Sequence, residues 1–237
     1  MSKIEPKILI TGTNRGLGKF LSEKFDNVYK FTRKDNPEQM KDMLIGTLNQ
    51  SYDMIIHCAA NVSHYDWDNV PSNFFDDNIK LTSDLVKIPH KKFVYISSID
   101  QKKTSPYGIS KRISECIVKD VCDNHLIIRP SGLLGNEMKE NTFKRILKNK
   151  SIALTGDSVM NYILYDDVLD LINKEKFGII TLCANDDITM SDLVKTLDKD
   201  IEFGNINFKI ESIKSDYDTK KTSKDNILKF VETTDEE

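Results

Sequence analysis

No stretch of this chain approaches the roughly 20 consecutive apolar residues that a membrane-spanning helix requires, so no membrane segment is expected. Its four cysteines, Cys58, Cys116, Cys122 and Cys183, form no Cys-x-x-Cys pair, and its four histidines form no cluster at zinc spacing. No metal site is therefore expected. Three of the cysteines lie in apolar stretches that suit buried free thiols in a reducing compartment. A net charge of −3 leaves no basic excess, so nucleic acid is not an expected partner. There is no internal repeat and no low-complexity linker. The opening Met-Ser-Lys-Ile-Glu-Pro-Lys runs into a strand without a signal-peptide core, which points to the cytoplasm.

What is present is 237 residues, 39% hydrophobic and 30% charged, enough for one sizeable core. Short apolar runs alternate with helical patterns, as in βαβ units around a parallel sheet. Strands are predicted over 7–11, 27–31, 53–57, 92–96 and 125–129, and helices over 17–25, 37–48, 69–86 and 107–121. A third strand is represented by little more than Met43-Leu-Ile45. After Pro130 the pattern loosens, with helices over 143–148, 165–172, 190–197 and 225–230 and strands over 151–154 and 178–182. The expected fold is α/β, a Rossmann-type doubly wound parallel sheet with a small C-terminal substrate-binding subdomain. Residues 1–135 would form the nucleotide-binding core. Residues 136–231 would hold the last sheet strand interleaved with the substrate-binding region, and 232–237 a disordered acidic tail.

Between the first strand and first helix lies Thr11-Gly-Thr-Asn-Arg-Gly-Leu-Gly18. Glycines there let the turn close and bring backbone N–H groups to a pyrophosphate at the helix N-terminus. The expected cofactor contacts are Gly12, Thr13, Asn14, Arg15, Gly16, Leu17 and Gly18. An NAD site places an acid at the end of the second strand to bind the ribose 2′-OH. Here that end reads Phe31-Thr-Arg-Lys34. Arg33 and Arg15 could instead hold a 2′-phosphate, so NADP is expected, with NAD the alternative. The other reading of the two arginines is a pair of solvated surface charges.

The strand Phe93-Val-Tyr-Ile-Ser-Ser98 is followed by Ser105-Pro-Tyr-Gly-Ile-Ser-Lys111, with Tyr107 and Lys111 four residues apart and so on one helix face. With the glycine turn before it and Leu126-Ile-Ile-Arg-Pro130 after it, this arrangement resembles the short-chain dehydrogenase/reductase superfamily. The likeness is to its extended branch of nucleotide-sugar epimerases, dehydratases and reductases, and it spans roughly residues 5–200. The resemblance implies that Ser98 polarises a substrate carbonyl oxygen and that Tyr107 is the general acid. Lys111 would supply the cation that a phenol with an ordinary pKa near 10 needs for proton transfer at neutral pH, and with Tyr107 would touch the nicotinamide ribose. Cys58, Ala59 and Ala60 after the 53–57 strand, Asn78 and Pro130 would also line the cofactor. For Asn78 a helix polar residue is the competing reading.

Three departures shape the expected function. Ser98 and Tyr107 are only nine positions apart, which trims the loop between them and could misplace Ser98. Ile99-Asp100 stands where dehydratases of this branch carry an Asp-Glu pair, which disfavours dehydration. Asn161-Tyr162 stands where an arginine commonly clamps the nucleotide diphosphate. Asp166-Asp167 reads as a helix N-cap rather than a metal pair; His64 reads as a surface residue, and Trp67, Phe74 and Phe75 as packing. The expected activity is NADPH-dependent reduction of a carbonyl, best matched by a 4-keto (deoxy)sugar nucleotide, as in reductases of the dTDP-4-dehydrorhamnose type. The alternatives are a nucleotide-sugar 4-epimerase using bound NAD, and a non-catalytic NADP-binding sensor or scaffold. Homodimers are common in the family.

Overall fold

The computed structural model describes residues 5–32, 46–47, 49–63, 65–210 and 214–235. Arg33, His64, the Met43–Ile45 run and most of the predicted 37–48 helix lie outside them. The chain divides into two compact units: one built from the residues up to Arg129 with Leu169–Ile180, the other from Pro130–Val168 and the residues from Thr181 onward.

The first unit is organised by a sheet whose strands are β1 (Ile8–Thr11), β2 (Val28–Phe31), β3 (Tyr52–His57), β4 (His90–Ile96) and β5 (His125–Pro130). A later strand, Gly178–Leu182, completes a six-stranded order with β5 at its side: Gly178–Leu182, β5, β4, β3, β1, β2. The pairs β1–β2, β1–β3, β3–β4 and β4–β5 are all parallel. Register places Leu9 beside Ile55 and Ile55 beside Phe93, and these residues pack with Tyr95, Leu85 and Val118 on one face. Ile10, Ile56 and Val94, which point the other way, are equally buried. Burial on both faces is why these strands read as continuous apolar runs. The order reverses between β1 and β3, and the carboxyl ends of strands at such a point are where ligands bind in doubly wound sheets.

Helix α1 (Gly16–Lys24) follows β1. The helix expected over 69–86 starts later: a separate 3₁₀ turn covers Trp67–Asn69, and the helical run from Phe74 passes through a π turn at Asp76–Lys80 straight into α2 (Leu81–Leu85). Pro71 cannot donate into a helix, and the Leu81 N–H reaches back five residues to the Asp76 carbonyl. Helix α3 (Pro106–Val121) starts where expected. Ser105 caps it by accepting from the Gly108 N–H at 3.2 Å, and Pro106 occupies its first turn, where a missing N–H costs nothing.

In the second unit, β6 (Gly132–Leu134), β7 (Ile152–Leu154), β8 (Val159–Met160) and β9 (Tyr162–Leu164) form small two-stranded pairings, β6 with β9 in parallel. Further helices among the described residues are α4 (Thr142–Leu147), α5 (Tyr165–Asn173), α6 (Met190–Thr196) and α7 (Ser223–Asp235). Residues 232–235, expected to be disordered, continue α7. Its buried Asn226, Ile227 and Phe230 anchor the helix, and the Thr233 and Thr234 hydroxyls bond back to the Phe230 carbonyl. Asp167 accepts from the Leu164 N–H at 2.9 Å, so it reaches back to the start of α5 from the first turn rather than standing at the cap itself. Among the described residues no helix is long and apolar enough to cross a membrane.

Candidate active site

Gly12 and Gly16 have φ of 77° and 60°, which a side chain would strain. A Cβ on Gly12 would lie 2.9 Å from the Ala59 nitrogen, and one on Gly18 would lie 2.4 Å from the Gly12 carbonyl oxygen. The turn is therefore packed to backbone contact with the segment after β3. Arg15 precedes α1 in extended conformation, no side chain caps the helix, and its first turn carries no acid. A helix start of this kind suits an anion. Beside it the Thr13 hydroxyl is buried without a hydrogen-bond partner. Buried polar groups are nearly always paired, so an orphan hydroxyl next to a glycine cradle fits a dinucleotide pyrophosphate. Leu17 and Gly18 are buried, while Asn14 and Arg15 are exposed.

The end of β3 is locked to β1. Thr11 Oγ1 accepts from the Ala59 N–H at 3.0 Å and lies 2.8 Å from His57 Nδ1. His57 Nε2 lies 3.0 Å from Thr82 Oγ1, which donates to the Asn78 carbonyl at 2.8 Å. That pattern assigns the proton of neutral His57 to Nε2. Burial first, then the Lys111 charge, lowers the imidazole pKa to about 3. Asn78 lies in the π turn, and both ends of its amide bond the Asn61 backbone: the oxygen accepts from Asn61 N at 2.7 Å and the nitrogen donates to Asn61 O at 3.1 Å. Asn78 thus shapes the loop carrying Cys58, Ala59 and Ala60. Cys58 is partly buried, and burial raises its thiol pKa to about 12. It is therefore no nucleophile at neutral pH.

The buried stripe of α3 is unusually polar: Tyr107, Ser110, Lys111, Ser114 and Glu115 all face inward. The Ser98 hydroxyl stands close enough to the Tyr107 phenol to pull the phenol's pKa down. The short loop between them winds into a 3₁₀ turn, Ile99–Lys102, capped by Ser98 accepting from the Asp100 N–H at 3.1 Å. Gly108 makes this closure possible, since a Cβ there would lie 2.5 Å from the Asp100 carbonyl oxygen. Arg112 and the Trp67 indole donate to the carbonyls of Gln101 and Thr104 and fasten the loop from outside. Trp67 also stacks on Phe75, while Phe74 is fully buried. The trimmed loop thus leaves Ser98 within reach of Tyr107.

Lys111 is 3% exposed and donates to the Ile96 carbonyl at 2.8 Å. Its ammonium lies 4.9 Å from the centre of the Tyr95 ring and 5.8 Å from that of Tyr107. Burial lowers its pKa to about 8, against the opposing pull of Cys58 and Glu115. Burial raises the pKa of Tyr107, offset in part by the Ser98 hydroxyl, so the phenol stays protonated at neutral pH. The arrangement is a proton donor with a hydroxyl and a buried cation beside it.

Sequence reasoning missed the polar network under these residues: Thr11, His57, Thr82 and Ser114 on one side, and Ser97, Glu115 and Arg129 on the other. Its trace was the spacing of Ser114 and Glu115 from Lys111 on one helix face. In the second unit, Asn161 is committed internally. Its amide bonds Ser131 and the backbone of Ala184 and Asp186, so the residue standing where a diphosphate clamp was sought has a folding role. Pro130 closes β5 and belongs to this second unit.

These features define a nicotinamide-dependent enzyme of the extended short-chain dehydrogenase/reductase type, and residues 8–174 match the model of the NAD dependent epimerase/dehydratase family. The chain belongs to that family. Among solved structures it is similar to dTDP-4-dehydrorhamnose reductase from Bacillus anthracis in complex with NADP, at 17% identity and a TM-score of 0.75, with 97% of this chain and 100% of that one covered. It is similar also to RMD from Pseudomonas aeruginosa complexed with NADPH, at 15% identity and a TM-score of 0.74, covering 95% and 99%. A third is UDP-N-acetylglucosamine 4-epimerase from Methanobrevibacter ruminantium M1, solved with UDP-N-acetylmuramic acid, at 15% identity and a TM-score of 0.73, covering 97% and 99%. No curated protein sequence matches the chain.

Proposed function

We propose that this protein is an NADPH-dependent reductase of a 4-keto (deoxy)sugar nucleotide. The observation that carries the reading is the Lys111 cation buried 5.8 Å from the centre of the Tyr107 ring, with the Ser98 hydroxyl on the strand end facing the same phenol. Gly12, Thr13, Gly16 and Gly18 hold the pyrophosphate of the cofactor, and Arg15 with Arg33 meets its 2′-phosphate. NADPH, when bound, supplies the hydride. Ser98 donates a hydrogen bond to the substrate carbonyl oxygen, and Tyr107 gives that oxygen its proton, leaving a hydroxyl. The phenolate that remains is stabilised by Lys111. A phenol whose pKa is raised suits the donor's role, because it is protonated before each turnover. Recognition of the sugar nucleotide falls to residues 136–231.

The test is nicotinamide absorbance with purified protein, NADPH and a panel of 4-keto nucleotide sugars, with NADH and Tyr107→Phe in parallel. Oxidation that needs NADPH and Tyr107 supports the reading. Oxidation that survives Tyr107→Phe unchanged overturns it, and tightly held NAD(H) in the purified protein favours a 4-epimerase instead.

A further inference from the structure

Helix α3 meets the end of β4 at three successive residues. Lys111 donates to the Ile96 carbonyl at 2.8 Å, Ser97 Oγ donates to Glu115 Oε1 at 2.5 Å, and the Ser98 hydroxyl stands beside the Tyr107 phenol. The helix partners stand at 107, 111 and 115, one turn apart on a single stripe. Glu115 is 2% exposed and is clasped from β5 by Arg129, Nε to Oε1 at 2.9 Å and Nη2 to Oε2 at 2.6 Å. The Ser97 N–H donates to the neighbouring Ile128 carbonyl at 2.7 Å. One carboxylate thus ties together the helix that carries Tyr107 and Lys111 and the strand end that leads into Ser98.

We propose that Glu115, with Ser97 and Arg129, is a positioning device that holds Ser98 in register with Tyr107 and Lys111. What is positioned rests on the reductase reading; the device itself does not. A buried carboxylate is costly unless its oxygens are paired, and here they are taken by an arginine fork and a serine hydroxyl. The only covalent tether between Ser98 and Tyr107 is a loop of nine positions wound into a 3₁₀ turn. Without the clasp, the strand end could slide along α3 and carry Ser98 away from Tyr107. The carboxylate also bears on Lys111, which faces His57 from β3, Cys58 from the loop after it, Tyr95 from β4, and Tyr107 and Glu115 from its own helix.

The test uses the full chain with Ser97→Ala and Glu115→Gln. Amide hydrogen exchange across 97–105 is expected to speed up about tenfold in each variant, with β1 and β2 unchanged, because the loss is local. For Glu115→Gln the alkaline limb of kcat/KM should move to lower pH by about half a unit, as Lys111 loses a carboxylate that favours its charged form. Exchange over 97–105 in Ser97→Ala equal to wild type overturns the proposal, as does a uniform rise across the first unit. Ser97→Ala decides the matter if Glu115→Gln does not fold. A wild type that oxidises no NADPH with any keto sugar would sink the reductase reading, while the exchange experiment would still decide this one.

Discussion

The glycine turn and the inward face of α3 are two halves of one candidate site, built by opposite means. The turn works through absent side chains: Gly12, Gly16 and Gly18 bring backbone to backbone within contact distance and leave N–H groups and the Thr13 hydroxyl for a ligand. Helix α3 works through side chains that would be costly to bury alone. Tyr107, Lys111 and Glu115 are each buried and each held by a partner on β4, β5 or the loop between β4 and α3. A backbone site fails by crowding, and a side-chain site fails by losing one atom. The two halves should therefore break differently.

The largest effect is expected at Tyr107. Tyr107→Phe should lower the rate of NADPH oxidation by about 10²–10⁴-fold while leaving NADPH binding, read by its fluorescence, close to wild type. Gly18→Ala should do the reverse. Its Cβ would lie 2.4 Å from the Gly12 carbonyl oxygen, so the turn must shift, with a stability loss of about 1–3 kcal/mol and loss of NADPH binding in the same fluorescence titration. An alanine variant that binds NADPH like wild type would remove the turn from the cofactor site.

Two further tests use pH. The pKa of Lys111 is lowered to about 8, so the charge that supports Tyr107 is lost as pH rises through that value. kcat/KM should fall on the alkaline side from about pH 8, and a flat profile to pH 10 would deny Lys111 its electrostatic role. The same depression makes the unfolded chain bind more protons between about 8 and the ordinary lysine value of 10.5, so this group's contribution to stability rises with pH across that window. His57, with its pKa lowered to about 3, acts at the other end. The unfolded histidine takes up a proton below 6.5 while the folded one does not. Stability should therefore fall with acid between 6.5 and about 3, by up to about 1.4 kcal/mol per pH unit. Thermal melts of wild type and His57→Gln across that range would show it as a dependence the variant lacks.

The smallest effect belongs to Thr13→Val. Its hydroxyl has no partner within the described residues, so the variant should be at least as stable without ligand. Its NADPH affinity should drop by about tenfold, the value of one hydrogen bond. Destabilisation of the ligand-free protein would mean that the hydroxyl serves the fold instead.

The first unit was the more legible half. Its strands are apolar on both faces, so β1 to β5 appear in the sequence within two residues of their observed ends, and the helix read over 107–121 is α3 to within a residue. The 69–86 segment was legible as a helix but not in its detail: its apolar spacing gives no sign of the separate turn at Trp67–Asn69 or of the π turn, in which Asn78 is bonded to the Asn61 backbone. The 232–235 tail misled for a similar reason: its own residues are polar, and it is helical because buried Phe230 and its neighbours hold the helix it extends.

The amino-acid sequence alone determined the βαβ alternation, the glycine turn and the four-residue spacing of Tyr107 and Lys111, because each follows from local chemistry read along the chain. Tertiary structure decided that a nine-position loop still brings Ser98 to Tyr107, that Asn161 is committed to holding the backbone of its own unit, and that Glu115 joins the helix to two strands. Those outcomes depend on partners 14 to 30 residues away or on the closure of a turn. Burial then sets their charge: the same lysine that would keep its proton past pH 10 in water gives it up near 8 inside the fold.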